Sequence, residues 1–244
     1  MPTAAELLPI VSPGFNVLGI PNLACWLDAQ SITGLADADA VGTWSDLSGL
    51  GNNAVQATAA AKPLYKAAIL NRLPVVRWDG VDDLMTIAGL TGTFGGSDVP
   101  YSMALVINNR GGGAGGTSYC FGTSDTPFCE LQMGDGINRK DDAGVSQNVS
   151  GVIGDVNGAW GVLVVSFTGT TTMVMLNGVV TVTSAAQDVG ALTSNRFALG
   201  ARVLGAGYSN FAAIDTAEFI AVSRAISVNE AALLSRRLKK RWKL

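Results

Sequence analysis

Histidine is absent from all 244 residues. That excludes Ser-His-Asp and Cys-His nucleophilic systems, histidine general bases and histidine-ligated metals. Glutamate is scarce: Glu6, Glu130, Glu218 and Glu230 are the only four, and no two are close in sequence. Glycoside hydrolysis needs two carboxylates placed across one sugar bond. A hydrolase is therefore the least favoured reading, and the chain is expected not to be an enzyme. Cysteine is odd in number, with Cys25, Cys120 and Cys129, so there is no disulfide framework. Cys25 beside Trp26 reads as a small buried hydrophobe. Cys120 and Cys129 flank a turn-rich stretch and could face each other across a hairpin. No run reaches the ~18 apolar residues of a membrane span, so no membrane partner is expected. The N-terminus has no basic region, and Pro9, Pro13 and Pro21 interrupt its apolar stretch, so no export signal is read there.

Charged residues make up only 14% of the chain, with a formal net charge of −3 and a pI near 4.9. That balance argues against a general nucleic-acid binder. The charge is uneven, however. Residues 224–244 hold seven basic side chains and one acid, a net +6 against −9 for the rest. Such a tail is either a solvated helix face or a surface for an acidic partner.

What the chain has in quantity is glycine, 30 residues, together with Val and Thr runs in a sequence that is 48% apolar. This suits an all-β protein with tight turns. Strands are predicted at 23–28, 74–79, 84–88, 101–107, 118–122, 128–133, 162–168, 172–177, 179–184, 196–200 and 216–223. Asn177-Gly178 between two apolar runs marks a type I′ hairpin, because both turn residues must take positive φ. Ser227-Val228-Asn229-Glu230 is a capping box. Val228, Ala231, Leu234, Leu238 and Trp242 follow at helical spacing, which predicts an amphipathic helix over 227–242 that lays its Leu/Trp stripe on the body. With no internal repeat and no linker, one domain is expected over 23–244. Residues 1–22 precede it as an apolar, Pro-punctuated arm, read as a strap on the body or as a docking arm for a neighbouring subunit through Pro9, Ile10, Val11 and Phe15.

Two loops combine Trp with Asp, Ser and Gly: Thr43-Trp44-Ser45-Asp46-Leu47-Ser48-Gly49 and Arg77-Trp78-Asp79-Gly80-Val81-Asp82-Asp83. Asp and Ser bond nearby amides and Gly supplies positive φ, so each reads as a corner where a strand drops a Trp into the core and reverses. With Ala24-Cys25-Trp26-Leu27-Asp28-Ala29, TWSDLSGLGNNAVQ (43–56), LPVVRWDGVDDLM (73–85) and the closing segment 214–244, the chain resembles laminin G-like members of the concanavalin A-like lectin/glucanase superfamily. The resemblance covers roughly 23–244. It implies an all-β antiparallel jelly-roll sandwich with a C-terminal helix, and it places Glu218 at a structural position before the last strand. The two-Glu strand motif of the superfamily's glucanases is missing here.

Three sites remain for chemistry. Asp79, Asp82 and Asp83 form the best metal cluster, and calcium takes such loop oxygens. The favoured alternative is turn capping, with Asp83 solvated or paired to Arg77, so no cofactor is expected. Gly111-Gly112-Gly113-Ala114-Gly115-Gly116 matches a dinucleotide fingerprint only formally, because a strand rather than a helix follows. For glycans, exposed aromatics serve as stacking platforms and Asn or Asp bind hydroxyls. Tyr208, with Asn210 beside it, is the first candidate and Tyr119 the second, while Trp26, Trp44 and Trp78 are assigned to the core. Asn148-Val149-Ser150 is a glycosylation sequon, read as a chance match.

Two function classes follow. The first is a virion structural or accessory protein, a bacteriophage decoration or tail subunit that docks other virion proteins through residues 1–22, is oligomeric or assembly-bound, and turns its loops outward toward possible surface glycans. The second is a carbohydrate-binding lectin module, located extracellularly.

Overall fold

The computed structural model describes residues 17–111, 116–124, 126–150, 156–184 and 188–244. The docking residues Pro9, Ile10, Val11 and Phe15, and the middle of the glycine run at 112–115, lie outside them. Two antiparallel sheets pack face to face. Sheet I runs β15 (Val179–Ser184), β14 (Thr172–Leu176), β13 (Trp160–Phe167), β8 (Tyr101–Asn109), β20 (Ile214–Val222), β5 (Leu73–Arg77), β4 (Leu64–Leu70), with β1 (Leu23–Asp28) also on β20. Sheet II runs β12 (Ser146–Ser150), β11 (Gly136–Lys140), β10 (Phe128–Gln132), β9 (Thr117–Gly122), β17 (Arg196–Leu199), β6 (Met85–Thr86), β3 (Ala54–Val55), β2 (Thr43–Trp44). Two small ribbons pair β7 (Gly96–Ser97) with β16 (Ala191–Leu192), and β18 (Arg202–Leu204) with β19 (Gly207–Ser209). One helix, α1 (Val228–Trp242), follows β20. This is the jelly-roll sandwich expected from the sequence.

Side chains alternate across each strand, so register decides what enters the core. Tyr101, Phe121, Phe167, Phe197 and Phe219 face inward and meet ring to ring, with centroids 5.4 Å apart for Tyr101–Phe121 and 6.0 Å for Phe121–Phe197 and Phe197–Phe219. Yet β8, β13 and β20 are buried along nearly their whole length, not at alternate positions. Strands covered on both faces read as unbroken apolar runs. Here the second cover is α1, whose Ala231, Leu234, Leu238 and Trp242 are buried in the same core. The connection into α1 is fixed by two serines on the outer face of sheet I. Ser102 Oγ and Ser166 Oγ both accept from Ile226 N–H (2.9 and 3.0 Å), and Ser166 Oγ donates back to the Ile226 carbonyl.

The capping box at Ser227 and Glu230 is present, with Arg224 bound to the Glu230 carboxylate. The Asn177-Gly178 turn takes φ of 54° and 90°, as a type I′ hairpin requires. The sequence did not mark β4, β11 or β12. In β11 and β12 the core-facing apolar side chains are just Ile137 and Val149, and the other positions are polar or Gly. In β4 only Leu70 is buried. Such strands carry little periodic signal.

The three cysteines are free and buried. Cys129 stands opposite Phe121, and Cys120 opposite Glu130. The one-residue offset points the two thiols to opposite faces of sheet II, which answers the hairpin question left by the sequence.

β1, β20 and α1 meet at Glu218. Its carboxylate accepts the indole N–H of Trp26 (2.7 Å) and of Trp242 (2.6 Å). Arg241 lies 3.4 Å away and also pairs with Asp28. Burial pushes Glu218 up to about 7, against the pull of Trp242, Arg241 and Trp26. Trp242→Phe keeps the apolar fill and deletes one donor to this carboxylate. The expected loss is about 1–3 kcal/mol, read as a lower denaturant midpoint with an unchanged m-value.

Candidate functional site

Outward-facing positions of sheet II line up across strands. Asn148, Asn138, Glu130, Cys120 and Ala198 are successive register partners on β12, β11, β10, β9 and β17. The β18–β19 hairpin covers the Cys120 and Ala198 end, where Val203 and Tyr208 pack on Cys120, Phe128 and Ala198. The other end stays open: Asn148, Ser146 and Ser150 are exposed, and Asn138, Lys140 and Gln132 are half-buried. A polar platform therefore borders a raised aromatic hairpin.

That hairpin is held from below by Arg196. Its guanidinium donates to the carbonyls of Gly207 (3.1 Å), Gly205 and Thr123, and sits 5.6 Å from the Tyr208 ring centroid. Arg202 lies 4.0 Å over the Phe128 ring and 3.9 Å from Glu130 Oε1. Thr117 ties the two parts together. Its hydroxyl donates to Glu130 Oε2 at 2.7 Å, and its amide donates to the Asn210 carbonyl at 2.8 Å. Glu130 is fully buried. Burial raises its carboxyl, partly offset by Thr117 and Arg202, while Asp135 adds to the rise. It works as a tie beneath the surface and is not presented to solvent.

Tyr208 and Asn210 thus fall together at the rim of this face, Tyr208 half-buried and Asn210 exposed with φ of 49°. Tyr119 does not join them. It is fully buried, in the stacked rings with Phe197 at 6.4 Å. β9 alternation sends Tyr119 and Phe121 inward together, so the expectation of a second exposed tyrosine is corrected. Glu130, Asn138, Asn148, Arg196 and Arg202 escaped the sequence reading. The available signals were a lone Glu inside the apolar strand 128–133 and the sequon asparagine.

The acidic loop does what corners require. Asp79 Oδ1 accepts the amides of Val81 (2.8 Å), Asp82 (3.3 Å) and Asp83 (3.4 Å), and the Asp79 amide donates to Asp83 Oδ2 (2.9 Å). Oxygens of Asp79, Asp82 and Asp83 lie within 4.8 Å of one another. Asp83 is neither solvated nor paired to Arg77, which corrects both expectations: it is buried, and Arg77 instead grips Asp215 with two bonds of 2.7 and 2.8 Å along the strand pair β5–β20. Gly80 has φ of 82° and a Cβ there would stand 2.9 Å from Ala213. Asp46 closes the other corner by accepting the Trp26, Ser48 and Asn52 amides and the Ser48 hydroxyl. Burial opposes its charge, but these donors hold it below the usual carboxylate range. Trp44 and Trp78 are buried, as expected, and Trp26 is partly so.

The chain is thus a two-sheet antiparallel β-sandwich with one sheet roofed by a helix and the other half open. No protein-family model and no curated protein matches it. Its fold is shared with solved structures of low identity. The binding domain of Paraclostridial Mosquitocidal Protein 1 is 12% identical at a TM-score of 0.62, over 89% of this chain and 52% of that one. Domain 4 of AbnA, a GH43 extracellular arabinanase from Geobacillus stearothermophilus, solved with arabinotriose, is 14% identical at 0.58, over 88% and 98%. A Trypanosoma rangeli sialidase solved with the inhibitor DANA is 10% identical at 0.52, over 87% and 32%. The chain spans about half the length of the toxin binding domain.

Asp83 supplies a pH test. Burial raises its carboxyl from an ordinary 3.8 to about 6, helped by the charges of Asp79 and Asp82 and opposed by the Asp79 amide. A raised folded pKa means the native state holds more protons in that window, so stability is fullest below about pH 4 and falls as pH rises through about 6. Asp83→Asn keeps an acceptor for the Asp79 amide and cannot ionise. Melting curves are expected to show the wild type losing stability relative to Asp83→Asn between those two pH values.

Proposed function

We propose that this chain is a non-enzymatic carbohydrate-binding sandwich of the laminin G-like kind, acting outside cells, which presents the outer face of sheet II at Tyr208, Asn210, Asn138 and Asn148 to a glycan. The observation that carries this is the clamped hairpin. Arg196 gives two hydrogen bonds to the β18–β19 turn and a third to Thr123 after β9, and that turn sets an aromatic ring beside a polar, open strand surface. Sugars are recognised by this pairing of a ring face with amide donors and acceptors, and pre-organisation lowers the entropy cost of binding. The arabinanase domain, matched over nearly its whole length, was solved with a sugar. The non-enzymatic part rests on the carboxylates. Glu130 and Glu218 point out of opposite sheets, both buried, and Glu230 closes the cap of α1. No metal enters the proposal, because Asp79 and Asp83 are committed to backbone amides. On a glycan array, Tyr208→Ala is expected to lose binding by about tenfold or more, equivalent to about 1.4 kcal/mol, with its melting temperature little changed. Array binding equal to wild type overturns the assignment.

A place on a virus particle is a second reading, carried by the apolar arm. Residues 21 and 22 are fixed at the β20–α1 corner, where the Asn22 carbonyl accepts from Ser223 N–H at 2.9 Å and the Pro21 carbonyl from Arg224 Nε at 3.2 Å, and Val17 before them is buried. An arm docking on a neighbouring virion protein would therefore be anchored on the helix side, leaving sheet II outward. Deleting residues 1–16 is expected to abolish particle occupancy while the sandwich melts as before. Full occupancy by the truncated protein rejects the docking role.

A further inference from the structure

We propose that the cleft between α1 and the β14–β15 turn binds an acidic glycan chain, one bearing a carboxylate on each sugar. The proposal rests on the carbohydrate reading above but uses a different surface. The cleft encloses about 450 Å³ and is lined by Arg236, Lys239 and Lys240 on the helix, with Asn177 and Gly178 opposite. The turn wall is rigid, because the Asn177 side-chain oxygen accepts the Val162 amide at 3.0 Å and both turn residues hold positive φ.

Among the described residues the three cations of this cleft have no ion-pair partner. Arg224 is paired to Glu230 and Arg241 to Asp28 and Glu218, but among the described residues no carboxylate lies within 4 Å of Arg236, Lys239 or Lys240. Glu230 is the only acid on α1 and its carboxylate is already used by the cap and Arg224. Like charges three and four residues apart cost a helix about 0.2–0.5 kcal/mol per pair, and Arg236 stands in that relation to both lysines. Compensation of the helix dipole explains cations in the last turn only. Arg236 lies before that turn. An oxyanion ligand removes the repulsion and accounts for all three side chains.

The ligand class follows from the charge on the rest of the molecule. Arg236 and the Lys239/Lys240 pair stand about one helical turn of 5.4 Å apart on α1, so anions repeating once per unit fit them. The remainder of the chain carries a net −9. It repels a densely charged polymer such as nucleic acid that extends beyond the cleft. A sugar chain with one carboxylate per unit satisfies both conditions.

Calorimetric titration of the full chain with oligogalacturonate, and with a neutral galactose oligomer of equal length, tests this. The uronate is expected to bind, more weakly as salt rises. The triple variant Arg236→Gln/Lys239→Gln/Lys240→Gln should weaken it at least about tenfold. Arg237→Gln/Lys243→Gln, outside the cleft lining, should bind as wild type with an unchanged melting temperature. Three results overturn the proposal: unchanged uronate affinity in the triple variant, equal weakening in the control double variant, or inorganic phosphate or an oligoglutamate binding as tightly as the uronate. No uronate binding at all overturns it too. The carbohydrate reading fails separately, on neutral sugars and through Tyr208→Ala, which should leave uronate binding intact.

Discussion

A single buried carboxylate, Glu218, holds the first strand and the closing helix of the described sandwich against the middle of a sheet. β1 opens the described sandwich, β20 is its last strand and α1 its last element, and all three converge on this side chain through two indole donors and Arg241. A carboxylate removed from water costs several kcal/mol unless hydrogen bonds replace its hydration. Its partners are correspondingly fixed. Trp242 must reach back from the last turn of α1, which sets where the helix lies. With α1 seated there, the outer face of sheet I is roofed, and β8, β13 and β20 can be apolar on both sides.

Roofing one sheet leaves the other to meet the surroundings. On sheet II, among the described residues, the β18–β19 hairpin covers the outer face at its Cys120 and Ala198 end. The rest can stay polar because its strands keep a single inward apolar residue each, Ile137 and Val149. The asymmetry between the sheets thus produces the proposed glycan face. It also leaves the solvent side of α1 free to carry the cations that line the second cleft.

The Trp-Asp-Gly loops have a different place in this scheme. Asp46 and Asp79 each receive three backbone amides, so the oxygens that suggest a metal or sugar site are largely engaged in closing corners. Trp44 and Trp78 pin those corners to the core from inside. Their conspicuous composition marks the scaffold, and the binding surfaces lie at less conspicuous residues.

How much was legible follows from the range of each interaction. Strand β1, the Asn177-Gly178 hairpin, the Ser227 cap and the amphipathic helix depend on neighbours within a few residues, and their patterns were readable directly. The absence of histidine and of a close Glu pair needed no structure either. Tertiary structure alone decided which face of each strand points inward, because a one-residue register step exchanges the faces. That step buried Tyr119 and turned Cys120 away from Cys129. It likewise chose Asp215, 138 residues on, as the partner of Arg77, and put Asn148, Asn138 and Glu130 in one row. Pairing across such separations is set by sheet order and packing, and no local pattern encodes it.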